Sequence, residues 1–248
     1  MTDMLTRPQP ESVEQAAVTA EHPLAGLLRA AARRGLPPVD PTIAVCPAPP
    51  GPCAAAVALG GLSVVAADVP REWVCEHTPT GPGAAVAPHL VEALAIRLGV
   101  PTPPVHVLLA ARKPPQAGPR AALWPGGRVR PEWAACRTDV VAYTDADGGV
   151  IAIGRGPGGR WDLSVELDGA DRPWLRASTV VQGRELLEAA RTVAPGDLFA
   201  SVPAYDATSV RTYLCGGFRV IGAEALFLTR PAPLHGSPDT SPPGPSPR

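Results

Sequence analysis

Residues 201–218 read SVPAYDATSVRTYLCGGF. The run DLFASV (197–202) that leads into this stretch is apolar and strand-like. Asp206 follows, a residue type whose short carboxylate caps a helix N-terminus well. Ala207 to Cys215 then reads as a short helix, and RVIGAEALFLT (219–229) as a final long strand. Upstream, DVVAYT (139–144), GVIAIG (149–154) and RWDLSVELD (160–168) are apolar runs separated by Asp147-Gly148-Gly149 and by GRGPGG. That punctuation predicts three consecutive antiparallel strands. A helix of about Ser178 to Val193, closed by Pro195-Gly196, separates them from DLFASV. The order over 138–229 is therefore strand, strand, strand, helix, strand, helix, strand.

Composition limits what surrounds this core. The chain of 248 residues holds 33 Pro and 25 Gly, yet 45% of it is hydrophobic and its net charge is −1. Apolar burial on that scale can offset chain entropy, so Pro and Gly must act mainly as punctuation between ordered elements. Lys113 is the only lysine beside 21 arginines, and asparagine is absent. Interspersed charges leave no basic patch for nucleic acid or an anionic membrane. The polar N-terminus predicts no leader peptide, and the apolar stretch 54–69 is broken by Gly60-Gly61 and too short to span a bilayer. Five cysteines with no CxxC pair predict reduced thiols in a cytoplasmic protein.

The N-terminal half reads as a helix from Pro23 to about Gly35, a hairpin of AAAVAL and LSVVAAD around Gly60-Gly61, a helix over Pro88–Leu98, and a buried strand VHVLLAA (105–111). The expected organisation is a flexible arm (1–22), an N-terminal α/β domain (23–111), a Pro/Gly-rich linker (112–131), a C-terminal domain (132–230) and a Pro-rich disordered tail (231–248).

One motif points the wrong way. Gly154, Gly156 and Gly159 satisfy GxGxxG, but a dinucleotide site needs a helix after the glycines. WDLSVEL alternates as a strand, so a plain hairpin turn is expected. The histidines are scattered, and Cys75-x-His77 has no second pair at ligand spacing, which leaves no metal site to expect.

The element order over 138–229 resembles the GNAT superfamily of acyl-CoA-dependent N-acyltransferases, and two stretches carry the resemblance. Asp206, Ser209, Tyr213, Gly217 and Phe218 fall in register on the family pattern Asn-x-x-Ser/Ala-x-x-x-Tyr-x-x-x-Gly-Phe, with Asp in place of Asn. VELDGADRPWLRASTVV (165–181) lies where the family carries Gln/Arg-x-x-Gly-x-Gly/Ala, the loop that opens the long helix. Arg172 and Ala177 match its ends; Leu175 stands at the middle glycine and Pro173 follows the arginine, two departures. The resemblance implies an α+β fold, a GNAT-like α/β sandwich with a central, mostly antiparallel sheet flanked by helices and an N-terminal α/β extension. It leaves open that the extension is a decayed copy of the same fold.

The resemblance also implies roles. Tyr213 would give a proton to the departing CoA thiolate, and Glu166, on the fourth strand, would act as general base, through water or directly. The backbone of Val165 and Leu167 would pair with pantetheine. Arg172, Leu175, Arg176, Ala177 and Ser178 would lie against the CoA pyrophosphate at the helix N-terminus, with Asp206 completing the cofactor-binding set. Ser201 stands where some members carry a catalytic Glu. The implied activity is transfer of an acetyl or other acyl group from acetyl-CoA or another acyl-CoA to an amine of a small molecule or peptide. The alternatives are a non-catalytic binding or interaction protein that has lost CoA chemistry, and an enzyme repurposed for another ligand.

Overall fold

The computed structural model describes residues 21–35, 40, 42–114, 122–167 and 177–229. In chain order, α1 spans Pro23–Arg34, β1 Ile43–Cys46, β2 Cys53–Leu59, β3 Leu62–Ala66, α2 Arg71–His77 and α3 Pro88–Leu98. Then come β4 (His106–Ala111), β5 (Trp124–Pro125), α4 (Pro131–Ala135), β6 (Thr138–Thr144), β7 (Val150–Arg155) and β8 (Trp161–Glu166). The last four are α5 (Ala177–Val193), β9 (Leu198–Pro203), α6 (Ala207–Cys215) and β10 (Arg219–Leu228).

Local chemistry explains most of these bounds. The His22 ring accepts the Leu24 N–H at 3.2 Å and Pro23 starts α1 without needing a donor. Leu24, Leu28, Ala31 and Ala32 then form its buried stripe. Asp206 caps α6, accepting from the Ser209 N–H at 3.0 Å. The Asp145 carboxylate closes the β6–β7 turn, accepting from the N–H of Asp147 at 3.0 Å and of Gly149 at 2.7 Å.

All the strands join one ten-stranded sheet in the order β1-β3-β2-β10-β4-β9-β8-β7-β6-β5. Among the described residues, only β1–β3 and β8–β9 pair in parallel. β4, from before the Pro/Gly-rich stretch, lies between β9 and β10, from after it. β10 in turn pairs with β2, from Ala223↔Ala58 to Leu228↔Cys53. This corrects the expected fold class. A GNAT-like sandwich with an N-terminal α/β extension is replaced by an open, mixed, ten-stranded sheet in which β10 enters between β2 and β4 of the first half. The reason lies in burial. β2 is buried at all seven positions and the last four residues of β4 are buried. Strands this apolar need neighbours on both edges and cover on both faces, and a local pattern does not say which distant strand supplies them.

α5 and α6 cover one face, with Leu186, Leu187 and Tyr213 packed over Leu109, Ile151, Leu163 and Leu198. Ala223 lies opposite Val107, so the side of β10 that carries Ala225 and Phe227 is this same face, and there Leu90 and Leu94 of α3 pack on them. α1 covers the other face over Val57, Val64, Leu108 and Phe199.

A second correction concerns the cysteines. Cys53, at the start of β2, and Cys136, just after α4, form a disulfide with Cα atoms 5.5 Å apart. The expectation of thiols throughout therefore holds only for Cys46, Cys75 and Cys215 among the five. The bond closes a loop across 83 positions, a pairing that sequence spacing does not reveal. No helix among the described residues is long and apolar enough to cross a membrane.

Candidate functional site

β8 and β9 are neighbours only where Trp161 faces Leu198 and Asp162 faces Phe199. Beyond that point β8 continues against β7 as far as Glu166, and β9 continues against β4 as far as Pro203. The edges that face each other therefore part, leaving a gap that opens from Leu163 and Ala200 outward. In a strand, alternate residues direct their N–H and C=O to the same edge. Leu163, Val165 and Leu167 accordingly share the edge of β8 that β9 leaves.

Tyr213 occupies the start of this gap. α6 brings it back over the sheet, where its hydroxyl donates to the Leu163 carbonyl at 3.4 Å and the Val165 N–H faces its oxygen. Its ring meets Phe218 edge-on at 5.1 Å, so Phe218 sets the angle of the ring. Burial pushes the phenol pKa well up, with Arg130 and the Val165 N–H opposing weakly, and the proton is therefore held firmly at neutral pH. Two residues further out, the Val165 C=O and the Leu167 N–H face the same open edge with no strand opposite them.

Glu166 is placed differently from Tyr213. It alternates with Val165 and points to the opposite face of the sheet, where its Oε1 accepts from the Arg130 N–H at 3.1 Å and from the Arg130 Nε at 3.0 Å. Asp206 spends its carboxylate on the α6 cap, accepting also from the Ser209 hydroxyl at 2.6 Å. Arg172, Leu175 and Arg176 lie outside the described residues. The backbone of Ala177 and Ser178 opens α5, while their side chains also lie outside them. The structure thus brings Tyr213, Val165 and Leu167 to one edge and sets Glu166 on the far side of the sheet.

A buried charge cluster near the gap escaped sequence reasoning. Arg160 donates to Asp162 Oδ1 at 2.6 Å and, through both terminal nitrogens, to Glu224 at 2.6 and 2.7 Å. Arg137 donates to Asp162 Oδ2 at 3.0 Å and to the Trp133 carbonyl at 2.7 Å. The Ser201 hydroxyl also donates to Glu224. Two cations face two carboxylates, so the cluster is neutral. Burial opposes the Arg160 charge, but Asp162 and Glu224 outweigh it and its pKa rises. Burial likewise opposes the Glu224 charge, and Arg160 and Ser201 bring its pKa below the ordinary value. His106 lies opposite Glu224 across the β4–β10 pair, and burial lowers its pKa. One signal was readable beforehand, a single acid inside the apolar strand RVIGAEALFLT.

The same cluster explains one glycine of the GxGxxG match. β7 and β8 pair antiparallel across that turn, so it is a hairpin as expected, and no helix follows the glycines. A Cβ on Gly156 would collide with the Asp162 carboxylate, so only glycine lets the turn close over the ion pair.

No family model, curated protein or solved structure matches this chain.

Proposed function

We propose that this chain is an acyl-CoA-dependent N-acyltransferase of the kind its 206–218 motif resembles, moving an acyl group, acetyl in the first instance, from CoA to an amine of a small molecule or peptide. One observation carries the reading. Two strands part in mid-sheet, and a buried, protonated tyrosine stands where they part. The open edge offers the Val165 C=O and the Leu167 N–H to an amide-bearing chain such as pantetheine, in the manner of a third strand. The N-terminus of α5, the next element in the chain after β8, would take the negatively charged end of the same ligand.

In the reaction the amine nitrogen bonds to the thioester carbon and the C–S bond breaks. Tyr213 turns its O–H from the Leu163 carbonyl to the leaving sulfur, so that CoA leaves as a thiol. The proton lost by the amine passes to Glu166, which must first release Arg130 and needs a water to span the strand. Return of that proton to Tyr213 restores the enzyme. Acyl-CoA thioesters are intracellular, so the reading carries a cytoplasmic location with it.

The Arg130–Glu166 pair favours a second reading, a CoA-binding protein without transfer chemistry in which Glu166 only anchors the segment before α4. Calorimetric titration of acetyl-CoA into wild type and Leu175→Gly, followed by thiol release with a panel of amines, separates the outcomes. Binding with amine-dependent release supports the transferase. Binding without release supports the second reading, and binding gained only in Leu175→Gly contradicts both for the natural sequence.

A further inference from the structure

Ala25, Arg29 and Arg33 recur every four residues along α1, and this stripe faces the β7–β8 turn. Two arginines at that helical spacing repel each other. Arg155 enters the same space from the end of β7, its guanidinium lying 3.6 Å from the centroid of the Trp161 ring. These cations surround a cavity of about 210 Å³. Gly158 and Gly159 form part of its wall and put no side chain into it.

The counter-charges are incomplete. Arg29 pairs with Glu21. Arg33 gives its Nε to Asp197 Oδ2 at 2.7 Å, and the other oxygen of Asp197 already accepts the Lys113 N–H at 3.0 Å. Arg155 donates to the Gly159 carbonyl at 2.7 Å and pairs with no carboxylate among the described residues. Arg160 borders the cavity too, but Asp162 and Glu224 neutralise it. Three guanidinium groups therefore share two carboxylates, and both of these, Glu21 and Asp197, line the same cavity, which leaves one cation in excess. Like charges held together around a void are relieved by a bound anion.

We propose that this groove binds a small phosphate ester. Guanidinium forks match pairs of phosphate oxygens, and here they come from two elements, α1 and the end of β7. Arg155 lies over one face of the Trp161 ring, so the indole orients that guanidinium. The volume admits a phosphoryl group with a short substituent. The groove lies at the Trp161 end of β8, whereas Glu166 and the open edge lie at the other end, and the proposal does not depend on acyl transfer.

Calorimetry and thermal unfolding of the full chain, with glycerol phosphate, inorganic phosphate, acetate and chloride at matched ionic strength, test it. Wild type should bind glycerol phosphate at one site and gain thermal stability from it, with inorganic phosphate weaker and acetate and chloride without effect. Arg29→Gln and Arg155→Gln, both at residues that line the cavity, should each weaken binding about tenfold or more while unfolding close to wild type without ligand. Equal affinity for the ester and inorganic phosphate would overturn the ester assignment. Equal affinity in wild type and both variants, or no binding beyond the effect of chloride, would overturn the site.

Discussion

The Tyr213 hydroxyl donates to the Leu163 carbonyl at 3.4 Å, at the point where β8 and β9 separate. A tyrosine thus stands where the next strand would stand. The contact satisfies a β8 carbonyl that would otherwise be left without a partner, and it keeps a phenolic O–H at the head of the gap.

Tyr213→Phe separates these two contributions. Loss of the hydrogen bond should cost about 1 kcal/mol of stability, read from urea unfolding. Acyl transfer should fall about 10²-fold or more while the acetyl-CoA dissociation constant stays within about twofold. Unchanged turnover would remove Tyr213 from the proton transfer.

The buried cluster behaves differently, because removing one member strands another. Glu224→Ala leaves Arg160 with Asp162 alone and should lower stability by about 3–5 kcal/mol at neutral pH. The folded pKa of Glu224 lies below its unfolded value. Its contribution is therefore present in full above the unfolded carboxylate range and is lost as pH falls through the lower folded value. Denaturant midpoints of wild type and Glu224→Gln should run parallel from pH 7 to about pH 5 and converge only below about pH 4.

His106 predicts a second pH effect, in a different window. Burial lowers its folded pKa, with Glu224 opposing and Arg137 assisting. Above the unfolded value of about 6.5 both states carry it neutral. Below that value the unfolded chain takes up a proton that the folded protein resists, so stability falls as pH drops. His106→Gln should flatten the slope between about pH 6.5 and pH 5, and an unchanged slope would assign that dependence to other groups.

The Cys53–Cys136 bond closes a loop across 83 positions and should stabilise the fold by about 2–5 kcal/mol. Thiol titration of the unfolded chain should count three groups before reduction and five after it. Cys136→Ser should lower the thermal midpoint as much as reduction lowers that of wild type. A count of five without reductant would contradict the bond.

What the sequence made legible was local. The Gly60-Gly61 hairpin, the Pro88–Leu98 helix with its closing Gly99, the three-strand run of β6 to β8 and the Asp206 cap each follow from residues a few positions apart, and each is present. Pairing was not legible. VHVLLAA announces a buried strand, but nothing in it names β9 and β10 as its neighbours. The site divided in the same way. Tyr213 and the β8 edge could be named from motif register, while Arg160, Asp162, Glu224 and Arg137 meet through tertiary packing. Asp162 alternates with Leu163 in RWDLSVELD, and nothing in that pattern names Arg137 as its partner. Arg130 went unread because its partner Glu166 lies 36 positions away.

The central claim is that the gap between β8 and β9 receives acyl-CoA. Amide chemical shifts recorded while acetyl-CoA is added test it most directly. The account predicts saturable shifts at Val165, Leu167 and Tyr213, with the amides of β1 and β3 unmoved. Saturable binding that leaves these three residues unchanged, or no shift at millimolar acetyl-CoA, would contradict it.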